Sequence, residues 1–160
     1  EDTKRGLEIE PSNSNAYYNL GYIKHMFIGN KFGAIEDYTK AIELDQTSYK
    51  AYSNRGVLRK KLGDFKGALS DYDHALQINQ IDEFTLNNRG LIFHETGELK
   101  KALNDFDKAI EINNEYGIAY GNRGTTKKEL GDLKGACEDW KKAAELGDED
   151  AAKLVEENCG

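Results

Sequence analysis

Residues 52–80 read YSNRGVLRKKLGDFKGALSDYDHALQINQ, and this stretch decides the fold. Ala68, Tyr72 and Ala75 are separated by four and then three residues, which places them on one face of a helix. The Gly-Asp pair at 63–64 comes before this helix. Glycine ends a helix readily in the left-handed conformation, and aspartate accepts from the free N–H groups of the helix that follows. The stretch therefore predicts a helix, a tight turn and a second helix.

The same unit recurs along the chain with a period of 34 residues. The recurring positions are Ala34, Ala68, Ala102 and Ala136; Ala41, Ala75, Ala109 and Ala143; Gly29, Gly63, Gly97 and Gly131; Gly56, Gly90 and Gly124; and the aromatic residues Tyr38, Tyr72, Phe106 and Trp140. Small residues let helix backbones approach closely, and the aromatic residue fills the remaining space. Because a single unit cannot bury its apolar face alone, the units must stack.

This pattern resembles the tetratricopeptide repeat family, whose motif has a large residue, Leu-Gly, an aromatic, and later Ala, an aromatic, Ala and Pro. The usual Leu before glycine is replaced by Arg55, Arg89 and Arg123, and the closing Pro occurs only as Pro11. The resemblance implies an all-α fold, a right-handed superhelical solenoid of helix-turn-helix repeats with a C-terminal capping helix.

The period also predicts a division of the chain. We expect residues 1–10 to be the second helix of a truncated repeat, so that the chain is a fragment of a longer array. The remaining boundaries are repeat 1 at 14–47, repeat 2 at 48–81, repeat 3 at 82–115, repeat 4 at 116–149 and the capping helix at 150–160. Repeat 1 has one extra residue between Gly21 and Gly29. Such an insertion predicts either a one-turn bulge in the helix, a feature often found at functional sites, or a looser turn near residues 27–30.

The charge of the chain narrows the classes of partner. Its 29 Asp and Glu residues outnumber 22 Lys and Arg residues, which gives a net charge of −7 and disfavours a nucleic-acid partner. No apolar run approaches the roughly 20 residues of a membrane helix, so we expect no membrane partner. The residues identify no compartment, and the cytoplasm is the default expectation.

We expect no catalysis, no metal and no cofactor. His25, His74 and His94 are dispersed and occupy slots where sister repeats carry lysine, which predicts a solvent-exposed position for each. Cys137 and Cys159 are 22 residues apart without partner ligands, which disfavours a zinc site and predicts two free thiols.

Two charged residue types repeat with the same period: aspartate at 37, 71, 105 and 139, and arginine at 55, 89 and 123. They predict Asp–Arg pairs, formed either within a repeat, as Asp71 with Arg55, or between repeats, as Asp37 with Arg55. The second scheme is favoured because Leu20 occupies the arginine slot of repeat 1, which leaves Asp37 without a partner in the first.

The resemblance implies binding of a protein or an extended peptide on a concave face lined by the first helix of each repeat. On these helices one position is uniform, and we call it the asparagine ladder: Asn19, Asn54, Asn88 and Asn122. A side-chain amide can pair with both the N–H and the C=O of an extended peptide, and apolar neighbours can form pockets for its side chains. The predicted peptide-binding residues are Tyr18, Asn19, Tyr22, Asn54, Val57, Phe84, Asn87, Asn88, Leu91, Asn122 and Thr125.

Three alternatives remain open at this level. In the first, the asparagines are helix-packing residues common in the repeat. In the second, the chain is a structural arm of a larger multidomain protein, and in the third it is a scaffold that self-associates through its truncated N-terminal edge. A carboxylate clamp, which the family uses for C-terminal tails, is disfavoured because the slots for its cationic residues hold none.

Overall fold

The computed structural model describes residues 12–160, and all the regular secondary structure in that range is helical. The predicted helix over residues 1–10 lies outside the described residues. The helices are α1 Ser14–Ile23, a π-helix Lys24–Ile28, α2 Lys31–Leu44, α3 Tyr49–Lys61, α4 Phe65–Ile78, α5 Glu83–Glu95, α6 Leu99–Ile112, α7 Gly117–Glu129, α8 Leu133–Glu145 and α9 Glu149–Asn158. The all-α prediction is therefore confirmed.

The described residues form two compact units, with the division between Gln80 and Ile81. In the first unit α1 pairs with α2 and α3 pairs with α4, and α2 also packs on α3. In the second unit α5 pairs with α6 and α7 pairs with α8, and α9 packs on α8. Each unit thus holds two helix-turn-helix repeats.

The small and aromatic positions form the core of each repeat. Tyr38, Tyr72, Phe106 and Trp140 have no exposed surface, nor do the alanines three residues after them. The glycine of each first helix lies directly against this ring. A methyl group at Gly56 would lie 2.6 Å from the ring of Tyr72. Glycine is therefore required for the helix pair to close.

The turn between paired helices has the predicted chemistry. Gly63 has a φ of 81°, in the left-handed region that glycine adopts without strain. Asp64 then accepts from the backbone N–H of Gly67 at 2.9 Å and caps the next helix. Asn30 and Asp132 cap α2 and α8 in the same way, whereas Glu98 makes no such side-chain cap.

The extra residue of repeat 1 is accommodated as a π-helix at Lys24–Ile28. Here the carbonyl of Lys24 accepts from the N–H groups of both Gly29 and Asn30. Of the two structures that the insertion predicts, the helical bulge is confirmed and the looser turn is wrong.

The Asp–Arg pairs form within repeats, so the favoured between-repeat scheme is wrong. Arg55 forms two hydrogen bonds with Asp71, at 3.0 and 2.7 Å. The same pairing recurs sixteen residues apart in the second unit, where Arg89 binds Asp105 and Arg123 binds Asp139.

The argument from Asp37 fails because this carboxylate has a different partner. Its Oδ2 lies 2.6 Å from Lys24 Nζ in the π-helix. Lys24 lies three residues after Gly21, in the slot that holds Arg59 and Lys127 in other repeats, and these two residues also bind the repeat aspartate. Sequence reasoning considered only the arginine slot before the glycine and therefore missed this second cation.

A second correction concerns the cysteines. Cys137 of α8 and Cys159, directly after α9, form a disulfide, with 5.7 Å between their Cα atoms. The two free thiols expected from the spacing are therefore wrong. Spacing gave no signal for this bond, because only the return of α9 along α8 brings the two residues together. Leu154 and Val155 of α9 also pack on the core that contains Trp140, so α9 caps the second unit both covalently and by packing.

Candidate functional site

The predicted residues of the first unit lie on α1 and α3 and differ in exposure. Asn19 is exposed, Tyr22 is 41% exposed, and Tyr18 and Asn54 are half-buried. Val57 is only 8% exposed and belongs to the core, which leaves it little surface for a ligand. The prediction that Val57 lines a pocket is therefore wrong.

Tyr18 and Asn54 are brought together by the pairing of neighbouring repeats. Asn54 Nδ2 donates to the Tyr18 hydroxyl oxygen at 3.2 Å. Burial raises the pKa of Tyr18 above its ordinary value, so the phenol keeps its proton at neutral pH. The hydroxyl proton of Tyr18 and the Oδ1 atom of Asn54 remain available to a ligand, as donor and acceptor respectively.

Tyr18 of this pair borders a surface depression of about 360 Å³, whereas Asn54 is not among its lining residues. It is lined by Asn15, Tyr18 and Asn19 of α1, by Thr47 and Ser48 of the preceding loop, and by Tyr49 and Lys50 at the start of α3. Sequence reasoning did not include Thr47, Ser48 and Tyr49. Their signal was weak, because the loop before a first helix has no periodic pattern.

In the second unit the predicted residues lie on α5 and α7. Phe84 is 46% exposed, and Leu91 is half-buried. Asn87 and Asn88 are 3% and 8% exposed, which corrects the expectation that both amides face a ligand. Asn88 Nδ2 donates to the carbonyl oxygen of Phe84 in its own helix, at 3.0 Å.

Asn122 and Thr125 of α7 are half-buried. Asn122 Nδ2 donates to Asn87 Oδ1 at 2.9 Å, so Asn87 positions the ladder amide. Thr125 donates to the carbonyl oxygen of Gly121 within its own helix. The four ladder asparagines are thus unlike one another: Asn19 is exposed, Asn54 and Asn122 are half-buried and donate to neighbouring side chains, and Asn88 is buried.

The histidines are less exposed than expected in two cases of three. His94 is half-buried, with Nδ1 at 3.0 Å from the Thr126 hydroxyl and Nε2 at 3.3 Å from Glu129. His25 is also half-buried, and burial lowers its pKa. His74 is exposed, as predicted, and stacks on Tyr52 with ring centroids 5.2 Å apart.

Two other features, a metal-binding cluster and a membrane-spanning helix, are absent from residues 12–160. No group of three or more His, Cys, Asp or Glu side chains in this range is arranged to hold a metal ion. None of its helices combines the length and the apolar character needed to cross a bilayer.

Family models of the tetratricopeptide repeat match residues 14–48, 49–82 and 84–116. The chain belongs to the tetratricopeptide repeat family. No curated protein sequence matches it.

Solved structures share the fold over most of the chain. The structure of MamA superposes with a TM-score of 0.82 and 28% identity, covering 94% of this chain and 87% of that one. A tetratricopeptide repeat protein from Parabacteroides merdae has a TM-score of 0.73 and 25% identity, with coverage of 85% and 54%. The pilF protein of Pseudomonas aeruginosa, at 19% identity, has a TM-score of 0.84 with coverage of 96% and 74%, and supports the fold alone. As a tetratricopeptide repeat protein, the chain is a protein-interaction module.

Proposed function

We propose that the chain binds an extended peptide, or an extended segment of a partner protein, without catalysing a reaction, and that the main site lies in the first unit. The observation that carries this proposal is the hydrogen bond between Asn54 and Tyr18, of which Tyr18 lines the 360 Å³ depression. Their free Oδ1 and O–H groups form an acceptor and donor pair that complements the N–H and C=O groups of a peptide backbone. Asn19 adds an exposed amide on the same helix as Tyr18.

Side-chain contacts come from the apolar part of the same surface. The rings of Tyr18 and Tyr22 lie 6.5 Å apart, and Tyr22 is 41% exposed. Aromatic rings of this kind bury large apolar area at low cost in side-chain entropy. Lys50 at the rim of the depression favours a carboxylate on the ligand.

In the second unit, Asn122 and Phe84 are the residues suited to a ligand contact. Asn122 is held by Asn87 and keeps its Oδ1 free, and Phe84 presents an exposed ring. Asn88 donates to the carbonyl oxygen of Phe84 near the start of α5, and has a packing role in this proposal.

The test is selection from a random peptide library displayed on phage, followed by affinity measurement with the enriched synthetic peptides. We expect the Asn19→Ala/Asn54→Ala variant to bind them roughly 10-fold more weakly, since each lost hydrogen bond contributes about 0.5–1.5 kcal/mol. Asn114→Ala is the matched control, because Asn114 is exposed in the loop between α6 and α7. Its affinity should equal that of the wild type.

A second measurement distinguishes recognition of the backbone from recognition of side chains. N-methylation of single peptide amides removes backbone donors without changing the side chains, and should abolish binding at one or two positions. Equal binding by the asparagine variant and the control would contradict the proposal, as would binding that tolerates every N-methylation. Circular dichroism confirms that the variants are folded.

A further inference from the structure

The turn of repeat 1 presents a cluster of exposed apolar side chains. Met26, Phe27 and Ile28 of the π-helix are 55%, 79% and 65% exposed, and Phe32 in the first turn of α2 is 70% exposed. We call these four residues the apolar tip. Soluble proteins seldom expose a cluster of large apolar side chains without an interaction that uses it.

The fold does not require apolar residues at three of these four positions. When positions are counted from the turn glycine, the sister repeats carry charged or polar residues in the slots of Met26, Phe27 and Phe32, whereas the slot of Ile28 holds Leu62, Thr96 and Leu130. The slot of Met26 holds Lys60, His94 and Lys128; that of Phe27 holds Lys61, Glu95 and Glu129; that of Phe32 holds Lys66, Lys100 and Lys134. The residues that share a slot with Phe27 or Phe32 are all exposed. The tip is therefore a property of this repeat and not of the repeat fold.

The charge around the tip is opposite to that of the chain. Segments 24–37 and 59–66 together hold six Lys or Arg residues and three Asp or Glu residues, whereas the whole chain has a net charge of −7. Lys61 lies close enough to His25 to contribute, after burial, to its lowered pKa, which places the second turn beside the π-helix. Lys31 and Lys61 form no ion pair with any residue in 12–160, so their charges are available at the rim of the tip.

We propose that the apolar tip is a peripheral docking site for a membrane surface that contains anionic lipids. Side chains that are more than half exposed protrude from the surface, and a bilayer interface accepts such protruding groups without a preformed groove. Phe and Ile enter the boundary between headgroups and acyl chains, while lysines at the rim contact anionic headgroups. This contact needs no spanning helix, so it is compatible with the absence of long apolar runs, the observation on which the expectation of no membrane partner was based.

Two features of charge favour this occupant over a second copy of the chain. A symmetric dimer through the tip would bring together two rims of the same net positive charge, which repels. Repulsion between the remaining acidic surface and an anionic membrane is screened beyond about 8 Å at physiological ionic strength. The charge nearest the membrane, which is that of the tip, therefore dominates the contact.

The test is co-sedimentation of the chain with sucrose-loaded vesicles of phosphatidylcholine, with or without about 30% phosphatidylserine. We expect the wild type to sediment with the vesicles that contain phosphatidylserine. Phe27→Ser/Phe32→Ser should lower the partition coefficient roughly tenfold or more, because two large apolar side chains are no longer buried. Lys31→Glu/Lys61→Glu should lower it on the anionic vesicles and leave the weak binding to neutral vesicles unchanged.

The matched control is Ile81→Ser/Ile118→Ser, which removes two side chains that are 70% and 55% exposed in the second unit. It should sediment within about twofold of the wild type, since its apolar area lies outside the tip. The proposal is overturned if the wild type stays in the supernatant with both kinds of vesicle, if the control loses binding as strongly as the phenylalanine variant, or if the lysine variant is unaffected. Gel filtration at several concentrations tests for a dimer. A dimer formed by the wild type and lost only in Phe27→Ser/Phe32→Ser would make a second copy the occupant and would overturn the proposal.

Discussion

The most informative perturbation of the repeat core is Asp139→Asn. The Asp139 side chain is 5% exposed and receives Arg123 Nη2 at 2.6 Å, Arg123 Nε at 2.8 Å and Lys127 Nζ at 2.8 Å. The pairing raises the pKa of Arg123, with the hydrogen bond to Asp139 as its main cause, so the guanidinium stays charged. The Arg123 side chain is only 18% exposed, and when the Asp139 carboxylate becomes an amide, Asp107 is the remaining carboxylate partner of Arg123.

We expect Asp139→Asn to lower the free energy of unfolding by about 3 kcal/mol, the lower end of the range for removing one partner of a buried pair. The lower end applies because Asp107, at 2.8 Å from Arg123 Nη1, compensates part of the charge. With an m-value of about 2 kcal/mol/M, the midpoint of urea unfolding falls by about 1.5 M. The assay is urea titration followed by the fluorescence of Trp140, the single tryptophan, which is fully buried in the same unit.

The control is Glu145→Gln on the same helix. Glu145 is 69% exposed and lies 3.6 Å from Lys142, so its loss should change the free energy of unfolding by less than about 0.5 kcal/mol. If Asp139→Asn costs no more than this control, the argument from burial is wrong.

Double-mutant cycles then test the pairing itself. They should give a coupling of about 2 kcal/mol or more between Arg123 and Asp139, and under about 0.5 kcal/mol between Arg123 and Asp105. A larger coupling energy between Arg123 and Asp105 than between Arg123 and Asp139 would instead support pairing between repeats.

Three further predictions concern the core, the cap and pH. Gly124→Ala places a methyl group 2.8 Å from the buried ring of its repeat and should lower stability by about 1–3 kcal/mol, measured by the same titration. Reduction of the Cys137–Cys159 disulfide should cost about 3 kcal/mol on the chain-entropy model for a 22-residue separation; unchanged unfolding midpoints with and without reductant would contradict this. Burial lowers the pKa of His25, and the positive charge of Lys61 lowers it further, so the folded state binds this proton less readily than the unfolded state. Stability should therefore fall as pH drops below about 6.5, and His25→Gln should flatten that dependence below the same pH.

The fold was predictable because its determinants repeat. Ala68, Tyr72 and Gly56 each have counterparts one period away, and packing depends on side-chain size at those positions, which the sequence states directly. The exposure of Asn19 and Tyr22 was predictable for the same reason, since both lie on the face of α1 away from the Gly–Ala seam.

The remaining features depend on contacts that the period does not encode. The choice of Asp71 over Asp37 as partner of Arg55 is set by the geometry of two paired helices, and both choices have the same spacing pattern. Asn88 shares its position with three other asparagines but is buried, because the neighbouring side chains differ from repeat to repeat. The disulfide was missed because each cysteine occurs once and has no sister residue for comparison.

The π-helix also has a consequence for how the chain tolerates insertions. One extra residue normally rotates everything that follows it by about 100°, which would turn the apolar face of a helix toward water. Here the rotation is absorbed within five residues, and the recurring glycine, alanine and aromatic positions that follow keep their 34-residue step. The first family match is accordingly 35 residues long and the second 34. A single residue inserted within a helix can thus change this fold only locally. The residues at the insertion no longer need to match the equivalent positions of the other repeats.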